Sequence, residues 1–180
     1  MKILITGALF PPDIADPAPY LKELAKRLST DNDVSVLLYG SRPEAISGVP
    51  IRTVTKEWPS FLRLLAFVAK MLWLAPKHDV ILVQNGIATE LPALILSRFF
   101  GQKMILQMTD QKVTYQKAWQ QNIHSKLADR VNQVLSPTDT PLPPSRPEVL
   151  PFTERPEAAL RAYESAWETH LTELTKRLSS

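Results

Sequence analysis

Met1-Lys-Ile-Leu-Ile-Thr-Gly-Ala-Leu-Phe-Pro-Pro-Asp-Ile-Ala-Asp-Pro-Ala-Pro-Tyr20, with Leu21 to Leu28 behind it, is the stretch from which the fold can be read. Ile3, Leu4 and Ile5 form a continuous apolar run, the mark of a strand covered on both faces. Gly7 ends it, and Pro11-Pro12-Asp13 allows neither helix nor central strand. Asp16 can then cap a helix that takes Pro17 in its first turn. Tyr20, Leu21, Leu24, Ala25 and Leu28 follow at helical spacing. Strand, loop and helix come in that order, so the loop lies at the strand's carboxyl end, where open α/β sheets bind ligands.

The same grammar repeats along the 180 residues. Val34–Tyr39, Ile51–Val54, Asp79–Gln84, Lys103–Met108 and Val131–Leu135 read as strands, and Glu148–Phe152 as one more short strand. Helices are expected over residues 60–75, over 91–100 with Gly101 as cap, and over 119–130. Alternating elements with continuous apolar strands predict a Rossmann-like, doubly wound parallel α/β sheet of about six or seven strands, with helices on both faces. The strand order then reverses between the first and fourth strands. That sets residues 9–17 beside Gln84-Asn85-Gly86 and near Asp110.

A final helix closes the chain. Leu160, Tyr163, Trp167, Leu171, Leu174 and Leu178 make one apolar stripe on a charged background, so this helix must dock on the domain. The helix over residues 60–75 is different, because its polar stripe is only Arg63 and Lys70. Its apolar excess either packs in the core or meets a membrane interface or partner.

Composition narrows the function. A net charge of +3, with no run of more than two Lys or Arg, gives no footprint for nucleic acid. Cysteine is absent and His78, His124 and His170 are scattered, so neither thiolate chemistry nor a metal site is expected. Five glycines form no phosphate-cradling fingerprint, and no cofactor is expected. No signal peptide is visible and the apolar segment near residues 59–76 is too interrupted to span a bilayer. The expected location is cytoplasmic, or peripheral at the inner face of the membrane where residues 60–75 meet it rather than pack in the core.

These residues also carry a family resemblance. Met1–Gly7 with Phe10–Ala25, Val83-Gln-Asn-Gly86 with Leu91-Pro-Ala93, and Met104-Ile-Leu106 with Thr109-Asp110 resemble the amino-terminal domain of glycosyltransferase family 4 enzymes, which have the GT-B fold. Ala128-Asp-Arg-Val131 through Ser136-Pro137 and Glu148-Val-Leu-Pro151 are similar to that domain's closing strand and linker, and Ala162–Leu171 to the family's final crossover helix. The resemblance implies an acceptor-type domain over residues 1–152 and a crossover helix over 153–180, without the donor-binding domain. It further implies a hexosyltransferase half that needs a separate donor-binding domain or chain, with nucleotide-sugar bound only in that complex. The alternative is a non-catalytic binding module derived from such an enzyme.

Site residues follow from the same comparison. Asp110 matches an acceptor-edge position where a carboxylate orients or deprotonates a hydroxyl; it also reads as a loop Asp capping a turn. Ala15 and Asp16 stand where the family has adjacent glycines, so Asp16 either repels a diphosphate or is a plain helix cap. Asp13 and Glu90 lie near the same cleft, and each reads by default as a surface carboxylate. Gln84 and Asn85 can bond sugar hydroxyls, or with Gly86 form only a turn. Tyr20, Tyr115 and Trp119 can stack on sugar or lipid, or simply pack.

Overall fold

A computed structural model of the chain describes residues 1–12, 18–108, 117–136, 142–144 and 156–179. The continuous apolar runs become strands β1 (Lys2–Gly7), β2 (Asp33–Tyr39), β3 (Ile51–Val54), β4 (Val80–Gln84), β5 (Lys103–Gln107) and β6 (Gln133–Leu135). The helices between and after them are α1 (Ala18–Leu28), α2 (Ser60–Leu74), α3 (Ile87–Leu96), α4 (Ala118–Ala128) and α5 (Pro156–Ser179).

All strand pairs are parallel, in the order β3-β2-β1-β4-β5-β6. The leading strand is central, and the order reverses between β1 and β4 as the alternation predicts. Because side chains alternate along a strand, the sheet feeds two cores. Ile3, Ile5, Val36, Leu38, Leu82 and Ile105 face α1 and α5. Leu4, Leu37, Ile81, Val83, Met104 and Leu106 face α2, α3 and α4. This is the Rossmann-like, doubly wound sheet, with helices on both faces.

Helix α5 docks as its stripe requires. Tyr163, Trp167, Leu174 and Leu178 are buried against the α1 side of the sheet, and Leu171 is partly buried there. Leu160 is exposed, so the stripe runs one turn beyond the contact. Charged side chains hold the helix as well. Arg27 of α1 donates to both oxygens of Glu164 at 2.8 and 2.9 Å, which pulls the Glu164 carboxyl below its usual pKa. Lys103 of β5 donates to the carbonyls of Arg177 and Leu178, placing a cation at the helix C-terminus where the dipole favours it.

Helix α3 departs from its expected limits. It starts at Ile87, four residues early, and passes through Pro92. Proline has no N–H, so the carbonyl four residues back, on Ala88, loses its helical partner. The Tyr39 hydroxyl donates to that carbonyl at 3.1 Å. The helix ends at Leu96; among the glycines only Gly48 and Gly86 have positive φ, so Gly101 is not its left-handed cap. The short strand expected over residues 148–152 lies outside the described residues.

Candidate functional site

The carboxyl ends of β1 and β4 meet at the reversal point, and the chain there is tightly fitted. A Cβ on Gly7 would overlap Leu21 Cδ2 and stand 3.0 Å from Gln84 Oε1. Only glycine lets α1 come down this close on the strand end. After β4, Gly86 takes φ 134°, which side chains rarely adopt, and turns the chain into α3. The turn is closed from inside. Thr89 Oγ1 donates to the carbonyls of Gln84 and Gly86, at 2.6 and 2.8 Å. The Gly86 N–H donates to Glu90 Oε1 at 3.1 Å. His124 Nδ1 of α4 is also 3.1 Å from that oxygen. Glu90 reads from the sequence as a surface carboxylate; it is fully buried. The start of α3 therefore faces the chain's own carboxyl group.

On the α1/α5 side, a buried polar ring underlies the cleft. Gln84 and Gln107 end β4 and β5 in register, and the Asn85 N–H donates to the Gln107 carbonyl at 2.9 Å. Gln107 Nε2 donates to the Tyr20 hydroxyl, which lies 2.9 Å from His170 Nε2 of α5. The Tyr20 ring stacks on Trp167, with centroids 5.5 Å apart. Burial pushes the Tyr20 pKa well above its ordinary value, so the phenol keeps its proton and can donate it to His170. Among the described residues, Gln84 Nε2 and Gln107 Oε1 are buried with no hydrogen-bond partner.

Of the residues singled out in the sequence, Tyr20, Gln84 and Asn85 are thus buried beneath the strand ends, and Gly86 is the cap of α3. Asp13, Asp16, Asp110 and Tyr115 lie outside the described residues. His170, scattered and unassigned in the sequence, ties α5 to Tyr20.

On the opposite side lies a pocket of about 380 Å³ between the first turns of α2, α3 and α4. Ala8 and Tyr39 stand at the ends of β1 and β2; Leu64, Ala88, Leu91 and Trp119 supply apolar wall, and Lys56 and Arg63 supply positive charge. Tyr39 is stacked on Phe67 at 4.3 Å between centroids. Desolvation pushes its pKa up to about 12, despite the opposing pull of the Arg63 cation. At neutral pH its hydroxyl is a protonated donor already bonded to Ala88. The described pocket lining contains no carboxylate and no histidine. It can bind an apolar or anionic group; an acid–base catalyst must come from elsewhere. Trp119 was legible as a stacking candidate, whereas Tyr39, Lys56 and Arg63 were not. The signal for them was their place at the carboxyl ends of β2 and β3 and the start of the next helix.

Among the described residues, no group of three His, Asp or Glu side chains is placed to hold a metal ion, and no helix is long and apolar enough to cross a membrane.

No family model and no curated protein matches the chain. Among solved structures it is similar to Anabaena Alr3699/HepE in complex with UDP and glucose, with a TM-score of 0.56 and 18% identity over 92% of this chain and 41% of that one. HepE in complex with UDP-glucose aligns with a TM-score of 0.54 and 17% identity, over 92% and 40%. The UDP-GlcNAc 2-epimerase from Methanocaldococcus jannaschii aligns with a TM-score of 0.49 and 17% identity, over 77% and 40%. At these identities the HepE likeness shows the fold alone, a Rossmann-like α/β domain. The chain spans about two fifths of the length of each of these three solved chains.

Proposed function

We propose that this chain is the acceptor-side half of a GT-B hexosyltransferase of the family 4 kind, completed by a donor-binding domain or partner chain. The observation that carries the reading is the cleft at the β1/β4 reversal point, in a fold shared with a protein solved with UDP and glucose. The acceptor enters beside the pocket walled by Tyr39, Leu91 and Trp119. Asp110, three residues after β5 in the sequence, is assigned to orient or deprotonate its hydroxyl. Gly86 borders the same cleft, Gln84, Asn85 and Tyr20 support its floor, and Asp13 is assigned to the acceptor by its sequence position after β1. The nucleotide-sugar is held by the donor lobe. Two features keep it off this one: Asp16 replaces a family glycine, and the start of α3 already faces Glu90.

A second reading is a non-catalytic module derived from such an enzyme. It is favoured by the absence of carboxylate and histidine from the described pocket lining. Calorimetric titration with nucleotide-sugars, followed by hexose transfer assays with candidate donor-domain chains, separates the two. The first reading expects no saturable nucleotide-sugar binding by this chain alone, and transfer in a mixture that Asp110→Asn abolishes. No turnover in any mixture, with acceptor still bound, leaves the module. Tight nucleotide-sugar binding by the lone chain contradicts the assignment of the donor to the other lobe.

A further inference from the structure

Helix α2 is covered on one side only. Phe67, Met71 and Leu74 are buried against the sheet, while Phe61 (68% exposed), Leu62, Leu65 and Trp73 (56%) lie open to solvent. Trp58, just before the helix, is open too. Positions 61, 65, 69 and 73 recur at steps of four and position 62 lies three before 65, so these side chains share one outward face. A helix of 15 residues is roughly 22 Å long, and an apolar face of that length is unusual on a surface that meets only water.

The charges carried by α2 itself and by the short turn after it have one sign. From Trp58 to His78 the chain carries Arg63, Lys70 and Lys77 and no Asp or Glu. Arg63 donates to the Lys56 carbonyl and to Ser60, and Lys70 donates to the Thr53 carbonyl, which holds both on the border with β3. Lys77 Nζ sits 3.4 Å above the Trp73 ring, at the far end of the face. An apolar stripe bordered by cations, with tryptophan at both ends, matches the section of an anionic bilayer: acyl chains below, tryptophan and lysine at headgroup level.

We propose that the outward face of α2 docks on an anionic membrane surface, lying in the interface with Phe61, Leu62, Leu65 and Trp73 below the headgroups and Arg63, Lys70 and Lys77 among them. Ser60, Arg63 and Leu64 belong both to α2 and to the pocket wall, so the bilayer surface then stands beside the pocket. This surface is independent of any sugar transfer and is tested without nucleotide-sugar.

The test is co-flotation of the full chain with vesicles of equal phosphatidylglycerol and phosphatidylcholine, and with vesicles of phosphatidylcholine alone. The wild type is expected to float with the anionic vesicles, less so as salt rises. Leu65→Asp is expected to lower the bound fraction by about tenfold or more. Lys70→Glu with Lys77→Glu weakens binding to the anionic vesicles specifically. Leu160→Asp, at an exposed leucine of α5, leaves it unchanged. Circular dichroism checks each fold, and Phe61→Ser gives the same readout should Leu65→Asp fail to fold. A wild type that stays out of the vesicle fraction overturns the proposal, as do α2 variants that float equally well. A dimer in light scattering that Leu65→Asp disperses, without vesicle binding, assigns the face to a second copy and also overturns it.

Discussion

Trp167→Ala tests the docking of α5 more directly than any other single change. Trp167 lies in the middle of α5 and is fully buried. Its ring stacks on Tyr20, the Arg27 guanidinium lies 5.1 Å from its centroid, and its Nε1 donates to the Pro144 carbonyl at 3.3 Å. Truncating a buried tryptophan to alanine costs about 3–5 kcal/mol, a figure that already contains the lost stacking and cation–π contacts. For a chain of this size each kcal/mol moves the melting temperature by about 2–4 °C, so the expected fall is about 6–20 °C. Urea and thermal unfolding followed by far-ultraviolet circular dichroism read this directly. Intrinsic fluorescence adds a check, because Trp58, Trp73 and Trp119 are exposed and Trp167 is the buried emitter. Trp167→Phe should lose less than the alanine variant, since it keeps most of the apolar contact. A loss below about 1 kcal/mol for Trp167→Ala, the range of ordinary surface changes, would refute the docked position of α5.

Two further outcomes follow from packing and charge. Gly7→Ala should destabilise by about 1–3 kcal/mol, because the new methyl collides with a Leu21 side chain that is itself fully buried; Leu21→Val in the same chain should recover part of the loss in a urea titration. Glu164 has a folded pKa below its unfolded value, so its contribution is present above the unfolded carboxylate pKa and is lost as pH falls through the folded one. The stability difference between wild type and Glu164→Gln should therefore shrink between neutral and acid pH, from less than about 1 kcal/mol because the carboxylate is half-exposed; a difference that does not change with pH refutes the pairing with Arg27.

The sheet was legible because its information is local. A strand covered on both faces must be apolar at every position, and Ile3–Ile5 and Val80–Val83 show this without reference to any other part of the chain. The α5 stripe was legible for the same reason, apart from Leu160 at its open end. Burial of polar groups was not. His170 meets Tyr20 across 150 positions, and Glu90 meets His124 across 34, so neither pairing leaves a periodic trace. Pro92 is second in the helix expected over residues 91–100, but the helix starts earlier, and the Tyr39 hydroxyl satisfies the carbonyl that Pro92 frees. In α2 the apolar excess was plain, but which residues face the sheet depends on the direction from which the helix meets it. The structure answers with Phe67 inside and Leu65 outside.

The two helices on one side of the sheet come from opposite ends of the chain, and that has a consequence for synthesis. By the time a ribosome has released residue 135 every described strand exists, yet one side of β5 still lacks the tryptophan and leucines of its cover. A nascent chain at that stage leaves Ile105 and Leu135 without the α5 part of their cover. Burial of Leu174 and Leu178, and the grip of Lys103 on the last carbonyls, is the event that completes that cover.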